Sequence, residues 1–337
     1  MGELPFAEWV SSLSDSDGER IDVFLSKKYS ELSRARAQKL IIAEQVLVNG
    51  APCKANYKVC AGDKVSIFLP APTPLDLRGE DIPLTIYYED EHLVVLEKPA
   101  GLVVHPGAGN WEGTLVHALV HRFGESLGSG MGIGGELRPG IVHRIDKNTS
   151  GVLVVTRSDL AHQSLSAQFK EHSIERSYTA LAWGTMPETG EWNESIGRDP
   201  KQRQRMAVTE SGKAARTVFH RLELFAKYAT LFRAELFTGR THQIRAHAAH
   251  HGFPLVGDQQ YIHAHRSGRQ KREKALAQLK KENIALATQL EVAFEKNRQF
   301  LHASHLGFLH PTKNTFMRFT SPLPEDFESV LQEFRRC

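Results

Sequence analysis

The stretch His143-Arg144-Ile145-Asp146-Lys147-Asn148-Thr149-Ser150-Gly151 decides the interpretation of this chain, and the apolar run Val152-Leu153-Val154-Val155 follows it directly. The run predicts a buried β-strand, which places Asp146 in a tight turn at the start of that strand. A carboxylate at the edge of a core strand is costly unless it is paired or used in function. Because Arg144 and Lys147 flank it, we expect Asp146 to stay ionised near neutral pH. A structural ion pair and a catalytic carboxylate both satisfy these observations.

The composition describes a globular protein with more than one domain. The chain has 337 residues, of which 41% are hydrophobic and 24% charged, and these values are ordinary for a folded protein. No apolar run is long enough to cross a bilayer, and Met1 to Asp17 contains four acidic residues and no basic one, which is the wrong charge for a leader peptide. Three cysteines without a CxxC motif argue against a disulfide scaffold or zinc ribbon. We expect a metal-free cytoplasmic protein.

The positive charge is concentrated in three places, although the net charge is only +3. Basic residues outnumber acidic ones from Glu19 to Lys64. Two shorter basic runs follow, and their members are Arg198, Lys201, Arg203 and Arg205 in one and Arg266, Arg269, Lys271, Arg272 and Lys274 in the other. Separate basic patches on a nearly neutral protein are typical of polyanion binding, and ordinary solvated faces are the alternative.

The segment from Arg20 to Leu69 is predicted to fold by itself. Ile21, Phe24 and Leu25 have helical spacing, and Ser33 is a potential N-cap for a second helix ending near Ala43. The strand Val46-Leu47-Val48 leads into Asn49-Gly50, which is a strong hairpin signal, and the final predicted strand is Lys64 to Leu69. Prolines at 70, 72 and 74 then predict a stiff linker. We therefore divide the chain into an extension (1–17), a small domain (18–72), a linker (73–80) and a large domain (81–337).

The large domain is predicted to be an α+β structure with a mainly antiparallel or mixed sheet. Strand-like runs cover 85–88, 93–96, 177–182, 217–224 and 229–236, and a helix is predicted from Ser158 to His172. This order differs from the strict alternation of a doubly wound fold. The glycine-rich segment 124–140 lacks the strand and helix that a phosphate cradle requires, so we interpret it as a loop. Within 262–300, a basic amphipathic helix on the catalytic domain, an inserted arm and a dimer zipper remain open.

Two family resemblances connect these segments. The pattern Arg34-x-x-Ala37-Gln38-Lys39-Leu40-Ile41 with Val46-Leu47-Val48-Asn49-Gly50 resembles the S4 RNA-binding domain. Four further segments, taken with the Asp146 turn, resemble the catalytic motifs of the RluA family of pseudouridine synthases, closest to its RluD-like branch. These segments are Lys98 to Gly107, Arg176 to Ala180, Thr238 to His247 with Gly252 to Asp258, and Leu301 to Pro311.

The resemblance implies an enzyme and assigns roles to its residues. The family has a long bent sheet with a central catalytic cleft, uses no cofactor or metal, and converts uridine to pseudouridine; the RluD-like branch acts on large-subunit ribosomal RNA. Asp146 matches the essential carboxylate, Arg245 its basic partner, Tyr178 the residue that stacks on uracil, and Arg144 the side chain that enters the RNA stack. Residues expected to contact RNA are Arg34, Arg36, Lys39, Arg198, Lys201, Arg203 and Arg205. The expected partner is ribosomal RNA or an assembling large subunit, and the expected oligomeric state is a monomer.

Alternatives accompany these assignments. Tyr178 could be a core tyrosine, and Arg144 only a phosphate contact. His143 and His242 are expected to be hydrogen-bonded scaffold residues. The other histidines near residue 250 allow a metal-dependent hydrolase, although the cationic Arg245 opposes metal binding. A catalytically idle assembly factor is the remaining alternative. The chain departs from the family pattern at Ile145, where leucine is usual, and between Tyr261 and Leu301.

Overall fold

The computed structural model describes residues 7–10, 18–29, 32, 34–68, 77–107, 109–124, 127, 139–202 and 204–337, except for the side chains of 7–10, 35 and 36. Four predicted features lie outside these residues: the N-cap Ser33, the proline linker, most of the glycine-rich loop, and Arg203. The side chain of Arg36 also lies outside them. The chain divides into two compact units, and the second begins at Leu77. No helix in the described ranges is long and apolar enough to span a membrane.

The first unit has two helices and a four-stranded antiparallel sheet. Its elements are β1 (Ala7–Val10), α1 (Ile21–Lys28), α2 (Arg34–Ile42), β2 (Val46–Val48), β3 (Ala51–Pro52) and β4 (Lys64–Ile67), and the strand order is β1-β4-β2-β3. Asn49 and Gly50 have φ values of 52° and 82°, so both adopt the left-handed conformation that a two-residue hairpin turn requires. The S4-like architecture predicted from the sequence is confirmed.

The second unit contains a nine-stranded mixed sheet. Its strands are β5 (Thr85–Glu89), β6 (Leu93–Lys98), β7 (Ser150–Thr156), β8 (Glu175–Trp183), β9 (Thr189–Trp192), β12 (Thr217–Phe225), β13 (Ala229–Leu236), β14 (Leu301–Leu309) and β15 (Phe316–Thr320). The order is β5-β6-β7-β14-β8-β13-β12-β9, and β15 also pairs with β14. The pair β7–β14 is parallel and the other pairs are antiparallel. A separate hairpin is formed by β10 (Ile196–Arg198) and β11 (Met206–Val208).

Helices cover both faces of the sheet. On one face, α3 (Leu115–Phe123) and α5 (Gln243–His250) share a core with Val94 and Leu153. On the other face, α4 (Asp159–Glu171) packs near Leu93 and Val152. Successive residues of a strand point to opposite faces, which explains why β6 and β7 are apolar along their length. The predicted α+β class with a mixed sheet is confirmed.

The segment within 262–300, predicted to be helical, contains two helices that pack inside the second unit. The helices are α6 (Arg266–Glu282) and α7 (Ile284–Glu295), and a third, α8 (Glu325–Arg335), packs with them. Asn283 separates α6 from α7 and caps α7 by accepting the Leu286 N–H. The apolar residues that a dimer zipper would use are buried inside the unit, and they are Leu276, Leu279, Leu286, Leu290 and Ala293. These side chains therefore pack within one chain, where they are covered and not available for a dimer zipper.

Candidate active site

The turn that carries Asp146 is held by hydrogen bonds to its backbone carbonyls. The Asp146 carbonyl accepts the Thr149 N–H at 3.1 Å, which closes the turn. The Lys147 carbonyl accepts from the Gly101 N–H at 2.9 Å and from Lys98 Nζ at 3.0 Å. The Asn148 carbonyl accepts from Arg298 Nη1 at 3.1 Å. Because these contacts come from segments far apart in sequence, they fix the turn to the body of the domain.

Gly151 lets the strand after this turn lie directly against β14. It has a φ of +123°, and a Cβ atom at this position would be 2.3 Å from the carbonyl oxygen of Ala303. Ser150 pairs with His302, and Gly151 with Ala303, in the parallel register of β7 and β14. Only glycine combines this φ with such a close approach. The glycine therefore determines how near the Asp146 turn can lie to the centre of the sheet.

Asp146 is paired with Arg245, as the sequence motif predicts. Arg245 Nη1 donates to Asp146 Oδ2 at 2.8 Å, and Arg245 lies on α5, whose N-cap is His242. The opposite edge of the guanidinium binds Asp258, with Nε–Oδ2 and Nη2–Oδ1 distances of 2.7 and 3.0 Å. Arg245 and Asp258 are 4% and 0% exposed, and Asp146 is 17% exposed. A guanidinium buried between two carboxylates is a rigid, charge-assisted support for Asp146.

The electrostatic environment keeps Asp146 ionised. Burial by itself raises the pKa of this carboxyl, but nearby His242 and the contact with Arg245 lower it below its ordinary value. For Arg245, burial lowers the pKa, and Asp258 and Asp146 together raise it above its usual value. The two carboxylates and one guanidinium of Asp146, Asp258 and Arg245 have a formal net charge of −1. A group with this charge favours positive charge developing on a bound substrate.

His242 faces the free oxygen of Asp146 and is held by Tyr261. Tyr261 Oη accepts the Met206 N–H at 3.0 Å and lies 3.0 Å from His242 Nδ1. Burial lowers the pKa of His242, and the nearby Asp146 raises it by a smaller amount. Burial also raises the pKa of Tyr261. The hydrogen bond between the Tyr261 hydroxyl and Nδ1 orients the ring so that Nε2 faces Asp146. That nitrogen is 3.7 Å from Asp146 Oδ1.

Asp146, Tyr178 and Arg144 line one cleft of about 550 Å³, together with Arg245 and His242. Tyr178 is 9% exposed and lies on β8. Its partners on the neighbouring strands are both alanines, Ala234 on β13 and Ala303 on β14. Tyr178 belongs to the hydrophobic core and also contributes to the lining of the cleft. Arg144 is exposed, and it is the side chain of this group that is most accessible to a large substrate.

The residues predicted to contact RNA have different environments. Lys39, Lys201 and Arg198 are exposed. Arg34 donates from Nε to the buried Asp22 at 3.0 Å, and its side chain remains 54% exposed. Arg205 forms an ion pair with Asp199 and is 14% exposed, so its guanidinium already has a partner in the β10–β11 loop. In the third basic run, Lys271 and Arg272 lie over the rings of Phe253 and Phe294.

The histidines near residue 250 take part in ordinary hydrogen bonds. His251 Nε2 is 2.9 Å from Glu194 Oε1, and His247 Nε2 is 3.0 Å from the Glu194 carbonyl oxygen. His143 accepts the Val154 N–H at 3.1 Å and stacks on Phe169. Burial lowers the pKa of His143 to about 3, and Arg176 adds to the shift. Within the described part of the chain, no three potential ligands converge on a metal position.

Three supporting residues received no role from the sequence. Asp258 orients Arg245 and also accepts the N–H groups of Gln260 and Tyr261. Lys98 is fully buried, and its Nζ donates to the carbonyls of Pro99, Leu102 and Lys147. Burial lowers the pKa of Lys98 to about 7, and Asp146 opposes this shift. Both residues lie in segments already quoted as motifs. Each is a charged residue inside a largely apolar motif, and this is the sequence signal that could have identified both as supporting residues.

Arg298 is the third of these residues, and it joins the catalytic turn to the C-terminal helix. Its Nε donates to Asp326 at 2.7 Å, while Nη1 binds the Asn148 carbonyl. It lies outside the quoted motifs, in the Tyr261 to Leu301 interval that the family pattern explains least well. Nothing in its local sequence distinguishes it from a surface arginine.

Comparison with known proteins agrees with this geometry. The sequence model of the RNA pseudouridylate synthase family matches residues 92–250, and that of the S4 domain matches 19–65. An uncharacterized RNA pseudouridine synthase of Bacillus subtilis is 41% identical over 328 residues, covering 97% of this chain and 98% of that protein. The ribosomal large subunit pseudouridine synthase D of Zymomonas mobilis is 40% identical over 328 residues, 96% of each chain. The solved structure of the human protein named RNA Pseudouridylate Synthase Domain Containing 4 has a similar fold, with a TM-score of 0.53 and 22% sequence identity. The match covers 74% of this chain and 93% of the human chain.

Proposed function

This chain belongs to the RNA pseudouridylate synthase family, and from that premise we propose that it modifies uridines of large-subunit ribosomal RNA with Asp146 as its catalytic carboxylate. It is an RNA pseudouridine synthase, an isomerase. The observation that carries the proposed catalytic centre is the ion pair between Asp146 and Arg245 in a cleft that also presents Tyr178. The substrate class is supported by the name of the Zymomonas relative.

The charge of the site suits an isomerisation by one carboxylate. The reaction breaks the N1–C1′ bond, turns the uracil and joins C5 to C1′; C5 loses a proton and N1 gains one, so nothing is oxidised or added. Hydrolysis of a glycoside normally uses a second carboxylate to activate water. Here the second carboxylate, Asp258, is fully buried behind Arg245. Asp146 is thus the carboxylate available to stabilise positive charge at C1′ or to act as nucleophile or base.

Arg144 and Tyr178 have the positions needed to receive an extruded uridine. C1′ and C5 cannot be reached inside a stacked helix, so the nucleotide must leave the stack. In the proposal, the exposed Arg144 fills the space that the base vacates, and the base enters the cleft and stacks on the ring of Tyr178. Burial raises the pKa of the Tyr178 hydroxyl. A neutral phenol provides an apolar stacking surface beside the Asp146 anion.

Binding of the RNA is proposed to involve the S4 domain as well as the catalytic unit. Lys39 is exposed at the end of α2, and Arg34 keeps about half of its surface exposed. Cations on one helix are suited to phosphate contacts, which position RNA without reading its sequence. We propose the domain limits 18–72 and 81–337, a monomer, and action in the cytoplasm, where large subunits assemble.

The substrate proposal is tested by release of tritium from RNA labelled at C5 of uridine, because the C5 proton is lost to water in the reaction. We expect release from a large-subunit ribosomal transcript without added cofactor. A small-subunit transcript of similar length is the control, and we expect no release from it. Equal release from both transcripts, or release from the small-subunit transcript alone, would overturn the substrate proposal while leaving the enzyme class intact.

A further inference from the structure

Arg176 is a cation in the cleft that the proposed mechanism does not use. It lies on β8, lines the cleft with Asp146 and Tyr178, and is only partly exposed. In the described residues its guanidinium has no ion-pair partner, and its Nε is buried without a hydrogen-bond acceptor. Burial lowers the pKa of Arg176. Leaving a buried charged donor unsatisfied is costly, so the site is prepared for an acceptor that arrives with the substrate.

The guanidinium is held in place by apolar contacts. Its Cζ lies 5.6 Å from the centre of the Phe169 ring, and Phe169 is itself stacked on His143 at 4.5 Å. On another side, a Cβ atom at Gly239 would be 2.9 Å from Arg176 Nη1, so the missing side chain makes room for the guanidinium. These neighbours restrict the orientation of the group and offer it no acceptor side chain. Its N–H groups therefore remain available toward the cleft.

Arg176, Tyr178 and Asp146 line the same cleft. Arg176 and Tyr178 are two residues apart on β8, so their side chains project from the same face. Burial raises the pKa of Tyr178, Arg176 lowers it, and Asp146 raises it, so the hydroxyl is near both charges. In the proposed placement, a ring stacked on Tyr178 with C1′ at Asp146 turns its opposite edge toward Arg176, which lines the same cleft.

We propose that Arg176 binds the carbonyl edge of the extruded uracil opposite the glycosidic bond and thereby selects uracil over cytosine. The proposal rests on the proposed placement of the base on Tyr178. In uridine the atom opposite N1 is C4, which carries the O4 acceptor. Cytosine has an amino donor at that position, and a guanidinium has only donors. A guanidinium N–H that faces the cytosine amino group has no acceptor, so binding of cytosine is strongly disfavoured.

The same contact survives the rotation of the base. When C5 replaces N1 at C1′, the atom opposite the new bond is C2, and its carbonyl oxygen O2 takes the place of O4. Arg176 therefore has an acceptor in substrate and in product. Between the two, the detached uracil carries the electron pair of the broken N1–C1′ bond, and its negative charge is shared with both carbonyl oxygens. A cation at this edge stabilises that intermediate.

The first test compares Arg176→Met with Arg335→Met, a control that removes a cation outside the cleft. Because Arg176 makes no hydrogen bond among the described residues and its buried charge is costly, we expect its variant to fold with a melting temperature equal to or above that of the wild type. At saturating RNA, we expect its single-turnover rate to fall by about 10²-fold, as for loss of one charge-stabilising donor. RNA affinity and its salt dependence should match the control. If affinity falls and the salt slope decreases by about 0.7 to 0.9, Arg176 contacts a phosphate and the proposal is overturned.

The second test pairs the variant with a modified substrate. RNA carrying 4-thiouridine at the target has a weaker acceptor at the edge proposed to face Arg176. We expect this change to slow the wild-type enzyme and to have little further effect on Arg176→Met, since the contact is already lost. Independent, multiplicative effects would refute the proposal. Turnover by an Asp146→Asn enzyme would instead refute the proposed catalytic centre, so the two failures are distinguishable.

Discussion

Replacement of Asp258 by asparagine isolates the support that holds the proposed catalytic carboxylate, Asp146. Asp258→Asn keeps the shape of the side chain and removes the charge from a fully buried pair with Arg245. Breaking a buried ion pair by removing one partner costs about 3–5 kcal/mol. At roughly 2 °C per kcal/mol for a domain of this size, the melting temperature should fall by at least about 6 °C. Differential scanning calorimetry measures this shift.

The same substitution should impair catalysis without weakening RNA binding. With Asp258 neutral, Arg245 is no longer held between two carboxylates, and the orientation of Asp146 becomes less restricted. A displacement of about 1 Å at a reacting group can cost about 10²-fold in rate, so we expect a loss of this order in the single-turnover rate constant. The dissociation constant for RNA should not change, because Asp258 is fully buried.

The matched control is Glu191→Gln, which breaks a bidentate pair with Arg216 in which both side chains are more than 40% exposed. Exposed pairs contribute little to stability, so we expect an unchanged melting temperature and rate. If Asp258→Asn melts like this control and retains full activity, the claim that Asp258 positions Arg245 and Asp146 is wrong.

Three further outcomes follow from the structure. Gly151→Ala should lower the melting temperature by several degrees, because its Cβ would clash with the Ala303 backbone; a melting temperature equal to wild type would contradict the close approach. The pKa of Asp146 is lowered in the folded protein, so its ionised form stabilises the fold above the ordinary carboxyl pKa of about 4, and this stabilisation is lost only as pH falls through the lower folded value. Because Asp146 stays ionised, the single-turnover rate should be level from pH 8 to about 5. A decline in rate with a midpoint near pH 6 would contradict this. Lys39→Gln should weaken RNA binding and reduce the salt slope by roughly 0.7 to 0.9, and an unchanged slope in a filter-binding titration would refute a phosphate contact.

Features controlled by neighbouring residues were predictable from the sequence. The helix expected from Ser158 to His172 is α4, with Ser158 accepting the Ala161 N–H as N-cap and His172 in the left-handed C-cap conformation. The Asn49-Gly50 turn and the buried strand after Asp146 were also predicted, because turn geometry and apolar runs are local signals. The contact between Arg245 and Asp146 was anticipated from the family motifs, and the residues are 99 positions apart.

Features that depend on tertiary contacts were not predictable. Asp258 and Arg245 meet because Gly257, with φ of +81°, lets the loop approach the Arg298 carbonyl closely, and no pattern in the chain reports that approach. Asn283 divides α6 from α7, and the pattern of 262–300 did not predict two helices. Arg205 was assigned to RNA from its place in a basic run, and its pairing with Asp199 depends on how the loop folds. Basic composition alone does not show which cations are already paired.

The central claim is that Asp146 is the catalytic carboxylate, and Asp146→Asn tests it most directly. Asparagine preserves the size of the side chain and an oxygen that can accept from Arg245, while removing the charge. The measurement is tritium release from C5-labelled large-subunit transcript at saturating enzyme, with RNA binding followed in parallel. We predict binding close to that of the wild type and no pseudouridine formed. Turnover by this variant, with binding intact, would contradict the account.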